Sequence, residues 1–181
     1  MMKKFLLTIL ILLIENAIVA QDSRLGIRAG LNFATVIDDD DAKLKGGIHI
    51  GGFLDFVFNE YFSLQPELLY STQGAVYNQR SPWRTTLSLS YINVPVLLKI
   101  KLVENFRIEF GPQIGFLVSA SLNSFGKSDN IKNDCQTIDV TALAGFSYLF
   151  DEKIIVEIRY GYGLQQIPKN VVVQLCMGYK F

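Results

Sequence analysis

From Leu25 onward, apolar and polar residues alternate with a period of two, the pattern of strands with one face in an apolar phase. The last segment shows it over twelve residues. Val171, Val173, Leu175, Met177, Tyr179 and Phe181 share one face, and Asn170, Val172, Gln174, Cys176, Gly178 and Lys180 share the other. Upstream, Val156, Ile158, Tyr160, Tyr162 and Leu164 oppose Glu157, Arg159, Gly161 and Gly163. Ile138, Val140, Ala142, Ala144, Phe146, Tyr148 and Phe150 oppose Asp139, Thr141, Gly145 and Ser147. Phe106, Ile108, Phe110, Ile114, Phe116 and Val118 oppose Arg107, Glu109, Gly111, Gln113, Gly115 and Ser119. Segments opening at Leu25, Ile48 and Phe62 do the same, with Arg28, His49, Asp55 and Glu67 on their polar faces. One further segment changes phase: Leu87, Leu89 and Tyr91 are odd-numbered, whereas Ile92, Val94, Val96, Leu98, Ile100 and Leu102 are even, with Lys99 and Lys101 opposite. A one-residue slip is what a β-bulge produces, so a bulge is expected near Tyr91. Pro95 and Pro112 cannot donate to a ladder and are expected to mark local irregularities.

The polar faces hold glycines, small hydroxyls and charges, which cannot build a dry core. They can fill the narrow interior of an eight-stranded barrel whose bulky apolar face meets lipid. Link lengths point the same way. Asn59-Glu60, Val103-Glu104-Asn105 and Asp151-Glu152-Lys153 are tight. Val36 to Lys45, Val76 to Thr85, Leu122 to Gln136 and Gln165 to Lys169 are longer and alternate with them, as extracellular loops alternate with periplasmic turns. The expected fold is therefore all-β, a closed antiparallel transmembrane β-barrel of about eight strands with both termini periplasmic. Phe56, Phe58, Phe62, Phe106, Phe150 and Phe181 fall beside the tight turns, where an aromatic girdle belongs. A soluble β-sandwich is the alternative and would need the opposite face inward.

Composition agrees with a membrane protein that has no spanning helix. Half of the 181 residues are hydrophobic and only 19% are charged, against about 25% in soluble domains. Lys3 and Lys4 precede the apolar run Phe5 to Ile14, and a small residue stands at Ala20. This is the layout of a secretory signal peptide over residues 1–20, leaving 21–181 as the barrel domain. The net charge is zero, which gives no indication of nucleic acid as a partner. The expected partners are outer-membrane lipid and lipopolysaccharide, the barrel-assembly machinery during insertion, and envelope proteins. Tyr179 and Phe181 would serve as the C-terminal assembly signal.

The stretch Ser63-Leu-Gln-Pro-Glu-Leu-Leu-Tyr-Ser-Thr-Gln-Gly74 and the later Tyr91-Ile-Asn-Val-Pro-Val-Leu-Leu-Lys-Ile100 resemble the outer-membrane β-barrel family common in Bacteroidetes, which includes the PorT-like proteins. Gly26-Ile-Arg-Ala-Gly-Leu-Asn-Phe33 and Gly111-Pro-Gln-Ile-Gly115 look like the same family. The resemblance covers nearly the whole chain after the signal peptide. It implies the fold and an outer-membrane location, and its motifs are barrel-building ones. PorT itself is linked to type IX secretion.

Candidate chemistry is sparse. By parity, Arg28, Lys99, Lys101, Arg107, Arg159 and Lys180 face Asp55, Glu67, Glu109, Asp139 and Glu157 in the lumen. Unpaired buried charge is expensive, so a mutually paired network that plugs the lumen is expected. The lone His49 is expected to join that network as a hydrogen-bonded member. Asp38, Asp39, Asp40 and Asp41 form an acidic tip on the first long loop but lack the spaced ligands of a calcium loop. Arg80, Trp83 and Arg84 on the second loop suit either a contact surface or an interfacial belt. Cys135 and Cys176 lack metal-ligand spacing and are expected as two thiols. No catalytic, metal or cofactor residues stand out. The reading is a non-enzymatic barrel acting through its loops or within an envelope assembly. A lipid-modifying barrel enzyme and a small pore or transporter are the alternatives.

Overall fold

The structure, a computed structural model, describes residues 23–36, 42–77, 85–124, 127–132, 135–164 and 170–181. The signal peptide and the loop residues Asp38 to Asp41, Arg80, Trp83 and Arg84 lie outside these residues.

Nine strands follow in chain order: β1 (Ser23–Val36), β2 (Lys43–Val57), β3 (Phe62–Tyr77), β4 (Thr85–Val103), β5 (Phe106–Ser124), β6 (Lys127–Asn130), β7 (Ile138–Phe150), β8 (Ile154–Gly163) and β9 (Asn170–Lys180). Their order in the sheet is β4-β3-β2-β1-β9-β8-β7-β5-β6, and a further β4–β5 pairing closes it. Every pairing is antiparallel. Eight strands make a closed barrel, and β6 is a short addition to the end of β5 inside what the sequence presents as a long loop.

Polarity is inverted relative to a soluble barrel. Arg28, Asn32, His49, Glu67, Lys99 and Gln174 are buried, whereas Leu31, Ile50, Leu68, Phe146, Ile158 and Leu175 are exposed on the outer face. Outward aromatic pairs gather toward the tight-turn end, including Phe106 stacked on Phe146 at 5.7 Å and Tyr179 edge-on to Phe181 at 5.6 Å. That end also carries the first residue of β1, paired with Phe56, and the last of β9.

The phase change in β4 has a different cause from the expected one. Strand β4 keeps a single register against β3 from Thr85 to Ile100, so it has no bulge at Tyr91. Its own extra residue against β5 falls at the tight turn, between Lys101 and Val103. At the level of Tyr91 the extra residue sits in β5: Ser90 pairs with Ser119 but Tyr91 pairs with Leu117, and both Val118 and Ser119 face outward. Tyr91 therefore points inward with Asn93 and Lys99, and Ser119 does not. Tyr91, Leu117 and Ala120 form a buried cluster, with Leu89, Ile131 and Cys135 packed against it. The apolar residues change face because the surroundings change. Below this level the outer face of β4 and β5 carries Ile92, Val94, Ile114 and Phe116, and above it Thr86, Ser88, Ser90, Ser119 and Ser121. Strands of 19 residues extend roughly 60 Å, while a tilted strand needs only about 9–11 residues to cross the hydrocarbon. The upper part of the β4–β5 hairpin is thus a water-exposed extension with its own small core.

Both prolines mark interruptions of a ladder, as expected of residues that cannot donate to it, but neither shifts the register. The β3–β4 pairs skip from Pro66–Val96 to Leu69–Asn93 across Pro95, and the β4–β5 pairs skip from Pro95–Gln113 to Leu98–Phe110 across Pro112.

A folded barrel of this kind migrates differently on an SDS gel before and after boiling. Leu31→Arg, on the lipid face, should lower stability by about 2–4 kcal/mol in detergent–urea unfolding. Ser119→Arg, on the water-exposed extension, should stay within about 0.5 kcal/mol of the wild type. Equal losses would misplace the lipid boundary.

Candidate functional site: the charged lumen

Alternation along eight closed strands aims every second side chain into a space only wide enough for side chains. Three cations and three carboxylates meet there. Arg28 comes from β1, Glu67 from β3, Lys99 from β4, Glu109 from β5, and Glu157 and Arg159 from β8. Arg28 contacts Glu67 and Glu157, each at 2.8 Å. Lys99 lies 3.0 Å from Glu109 and 2.7 Å from Glu157. Arg159 clasps Glu67 with two parallel bonds of 2.9 Å, donates through Nε to Glu109, and reaches Glu157 at 3.2 Å. Each charge has at least two opposite partners, and these side chains are 0–1% exposed. Isolated ions at such burial would be prohibitive, and multiple short contacts offset that cost.

Of the eleven charges that parity aims inward, six form this layer. Lys180 donates to Asp55 nearer the tight turns, where Arg107 approaches the same carboxylate at 3.9 Å. Asp139 lies on the other side of the layer and accepts a hydrogen bond from Thr141 at 2.9 Å. Lys101 forms no ion pair among the described residues and lines the mouth at the tight-turn end.

Toward the long loops the lumen turns from charges to amides. Asn32 donates to Ser71 Oγ and to the Thr72 carbonyl, both at 2.9 Å. Its Oδ1 then faces His49 Nδ1 at 2.8 Å and accepts from Gln174 at 3.2 Å. This donor pattern assigns the histidine proton to Nδ1. The ring lies over Gly30, where a Cβ would stand 2.6 Å from Nε2, so only glycine leaves room for it. Cys176 is buried in the lumen, Cys135 packs in the extension, and no disulfide joins them.

Several inward residues are absent from the sequence reading, Leu69 and Leu97 among them. Phe53 is 2% exposed and packs with Leu149 and Ile155, while the Arg28 guanidinium lies 4.9 Å from its ring centroid. Its ring occupies the space over Gly26, where a Cβ would stand 2.2 Å away. The available signal was parity, because Phe53 is in phase with His49 and Asp55. Arg24, in phase with Arg28, was missed in the same way and lines the mouth.

Comparison with known proteins places this architecture. The family model described as the outer membrane protein beta-barrel domain matches residues 19–168. The chain belongs to that family. Outer-membrane barrels of known structure share its fold. Ail, the attachment invasion locus protein of Yersinia pestis, solved with the heparin analogue sucrose octasulfate, superposes with a TM-score of 0.58 at 18% identity, over 89% of this chain and 100% of Ail. Neisserial surface protein A gives 0.63 at 14% identity, over 89% of this chain and 100% of that one. No curated protein sequence is significantly similar. The outer-membrane barrel is thus an integral bacterial outer-membrane protein.

Removing one member of the ion layer leaves the rest buried and unmatched. Glu157→Gln is expected to destabilise the outer-membrane barrel by about 3–5 kcal/mol in equilibrium unfolding, because Glu157 contacts all three cations. Lys153→Gln, an exposed change in a tight turn, should leave the midpoint within about 0.5 kcal/mol. Comparable midpoints for the two variants would show that the layer contributes little.

Proposed function

We propose that this is a non-enzymatic outer-membrane barrel that works through the surface at its long-loop end, alone or as part of an envelope assembly. The buried ion layer carries the reading. It spans the lumen from β1 to β4 and β5, with six charged side chains ion-paired to one another. Groups so paired and so buried are poorly placed for acid–base chemistry on a lipid or for passing an ion. The surface left for recognition is the loop end, which carries the extension of β4, β5 and β6 together with the segments containing Asp38 to Asp41, Arg80, Trp83 and Arg84. Ail, an attachment invasion locus protein solved with a bound heparin analogue, offers one precedent for such work on this fold.

The same proposal sets both termini and the tight turns in the periplasm, with outer-membrane lipid, lipopolysaccharide and envelope proteins as partners. Tyr179 and Phe181 are the proposed signal for the assembly machinery. Membership of the narrower PorT-like group of Bacteroidetes, with its link to secretion, rests on the motifs Ser63–Gly74 and Tyr91–Ile100 and is tested by the companions that co-purify.

Two measurements check the reading. In planar bilayers the folded protein should be electrically silent, and stable conductance steps would overturn the sealed lumen. In intact cells carrying a Cys135→Ser background, a thiol introduced by Trp83→Cys should react with a membrane-impermeant maleimide, while one from Asn59→Cys should not. The reverse labelling would invert the orientation and remove the loop end as the outward surface.

A further inference from the structure

The ion layer leaves a cup of about 200 Å³ at the tight-turn end, lined by Arg24, Lys101, Arg107 and Lys180 but only two carboxylates, Asp55 and Glu60. We propose that this mouth binds a phosphate group.

Three observations support it. First, the charges do not balance. Lys180 is matched to Asp55, and Arg107 reaches that carboxylate only at 3.9 Å, the longest ion-pair contact among the described residues. Arg24 and Lys101 have no carboxylate partner among the described residues, and Glu60 is exposed on the turn. This contrasts with the layer above, where three cations meet three carboxylates.

Second, Lys101 and Arg107 stand directly opposite each other across the β4–β5 ladder, both facing the cup. Like charges in that position repel and cost stability unless an anion lies between them. The barrel could relieve the conflict with a single acidic residue at either place, yet both are basic.

Third, the groups suit the ligand. A guanidinium presents a planar fork of donors that matches two phosphate oxygens, and an ammonium adds a point charge. The Arg107 side chain is 22% exposed, so it is held in place yet reachable. A cup of this volume holds several waters, at about 30 Å³ each, or one tetrahedral anion that displaces them.

The phosphate could come from a lipid headgroup at the rim or from a soluble ester, and the chemistry is shared. In the orientation proposed above, the cup opens to the periplasm. The site itself does not depend on that orientation.

The test uses the folded full-length barrel in a nonionic detergent, titrated with inorganic phosphate and followed by calorimetry or by NMR shifts of residues around the cup. Saturable binding that weakens with added sodium chloride is expected. Lys101→Gln and Arg107→Gln should each weaken it roughly tenfold, as loss of one charge-assisted contact does. Lys132→Gln, at the opposite end, should leave it unchanged. Unheated gel mobility confirms that each variant is folded, and Arg24→Gln at the outer rim is the substitute if one of the inner variants is not.

A second arm offers phosphatidylglycerol and reads its retention by native mass spectrometry. Retention by the wild type that is lost in Lys101→Gln assigns the phosphate to a lipid. Phosphate binding without retained lipid assigns it to a soluble ligand. No saturable phosphate binding together with no difference in lipid retention, or equal affinity in Lys101→Gln, overturns the proposal.

Discussion

Hydrocarbon offers a backbone no hydrogen-bond partner, so every N–H and C=O that crosses it must be paired within the protein. Strand β5 meets this demand for the whole molecule. It pairs with β4 on one side and β7 on the other, which turns an eight-stranded sheet with two raw edges into a ring with none. Closure at eight strands also determines the width of the lumen, and that width determines what the inward residues can be. Glycine is needed where a ring such as Phe53 or His49 crosses the space, and long charged side chains are needed where partners must meet across it.

The ion layer follows from this narrowness. Six charges from five strands are drawn to one level, and most of their contacts join residues far apart in sequence, Glu157–Arg159 and Lys99–Glu109 being the near ones. Such a layer also opposes alternative registers. A slip of one residue on any strand would turn its charge toward lipid and leave the others unmatched, so the layer penalises misregistration more sharply than apolar contacts could. Rigidity and a blocked lumen are then two results of one arrangement.

The level of Ser90 and Tyr91 marks a second boundary, between lipid and water. On the lipid side the apolar residues of β4 and β5 face outward, and on the water side they face inward around Tyr91, Leu117 and Ala120. The bulge at Val118 and Ser119 lies at this level and lets β5 re-aim its side chains while β4 continues straight. An extension with its own small core gives the loop end a firm base, which is the property a recognition surface needs.

Local pattern alone determined much of this protein. The period-two alternation, the alternating loop lengths and the polar content of one face led to a closed transmembrane barrel of eight strands, because lipid, lumen and water each select side chains position by position. The same parity aimed Arg28, Glu67, Lys99, Glu109, Glu157 and Arg159 inward. What parity could not supply was height along the barrel axis. Strand tilt and register set that height, and they decided that these six share one level while Lys101 and Asp139 lie outside it on opposite sides. Only the tertiary structure separated the two explanations of the phase change in β4. A bulge and a move from lipid to water leave the same mark in a single strand, and the pairing with β3 and β5 distinguishes them.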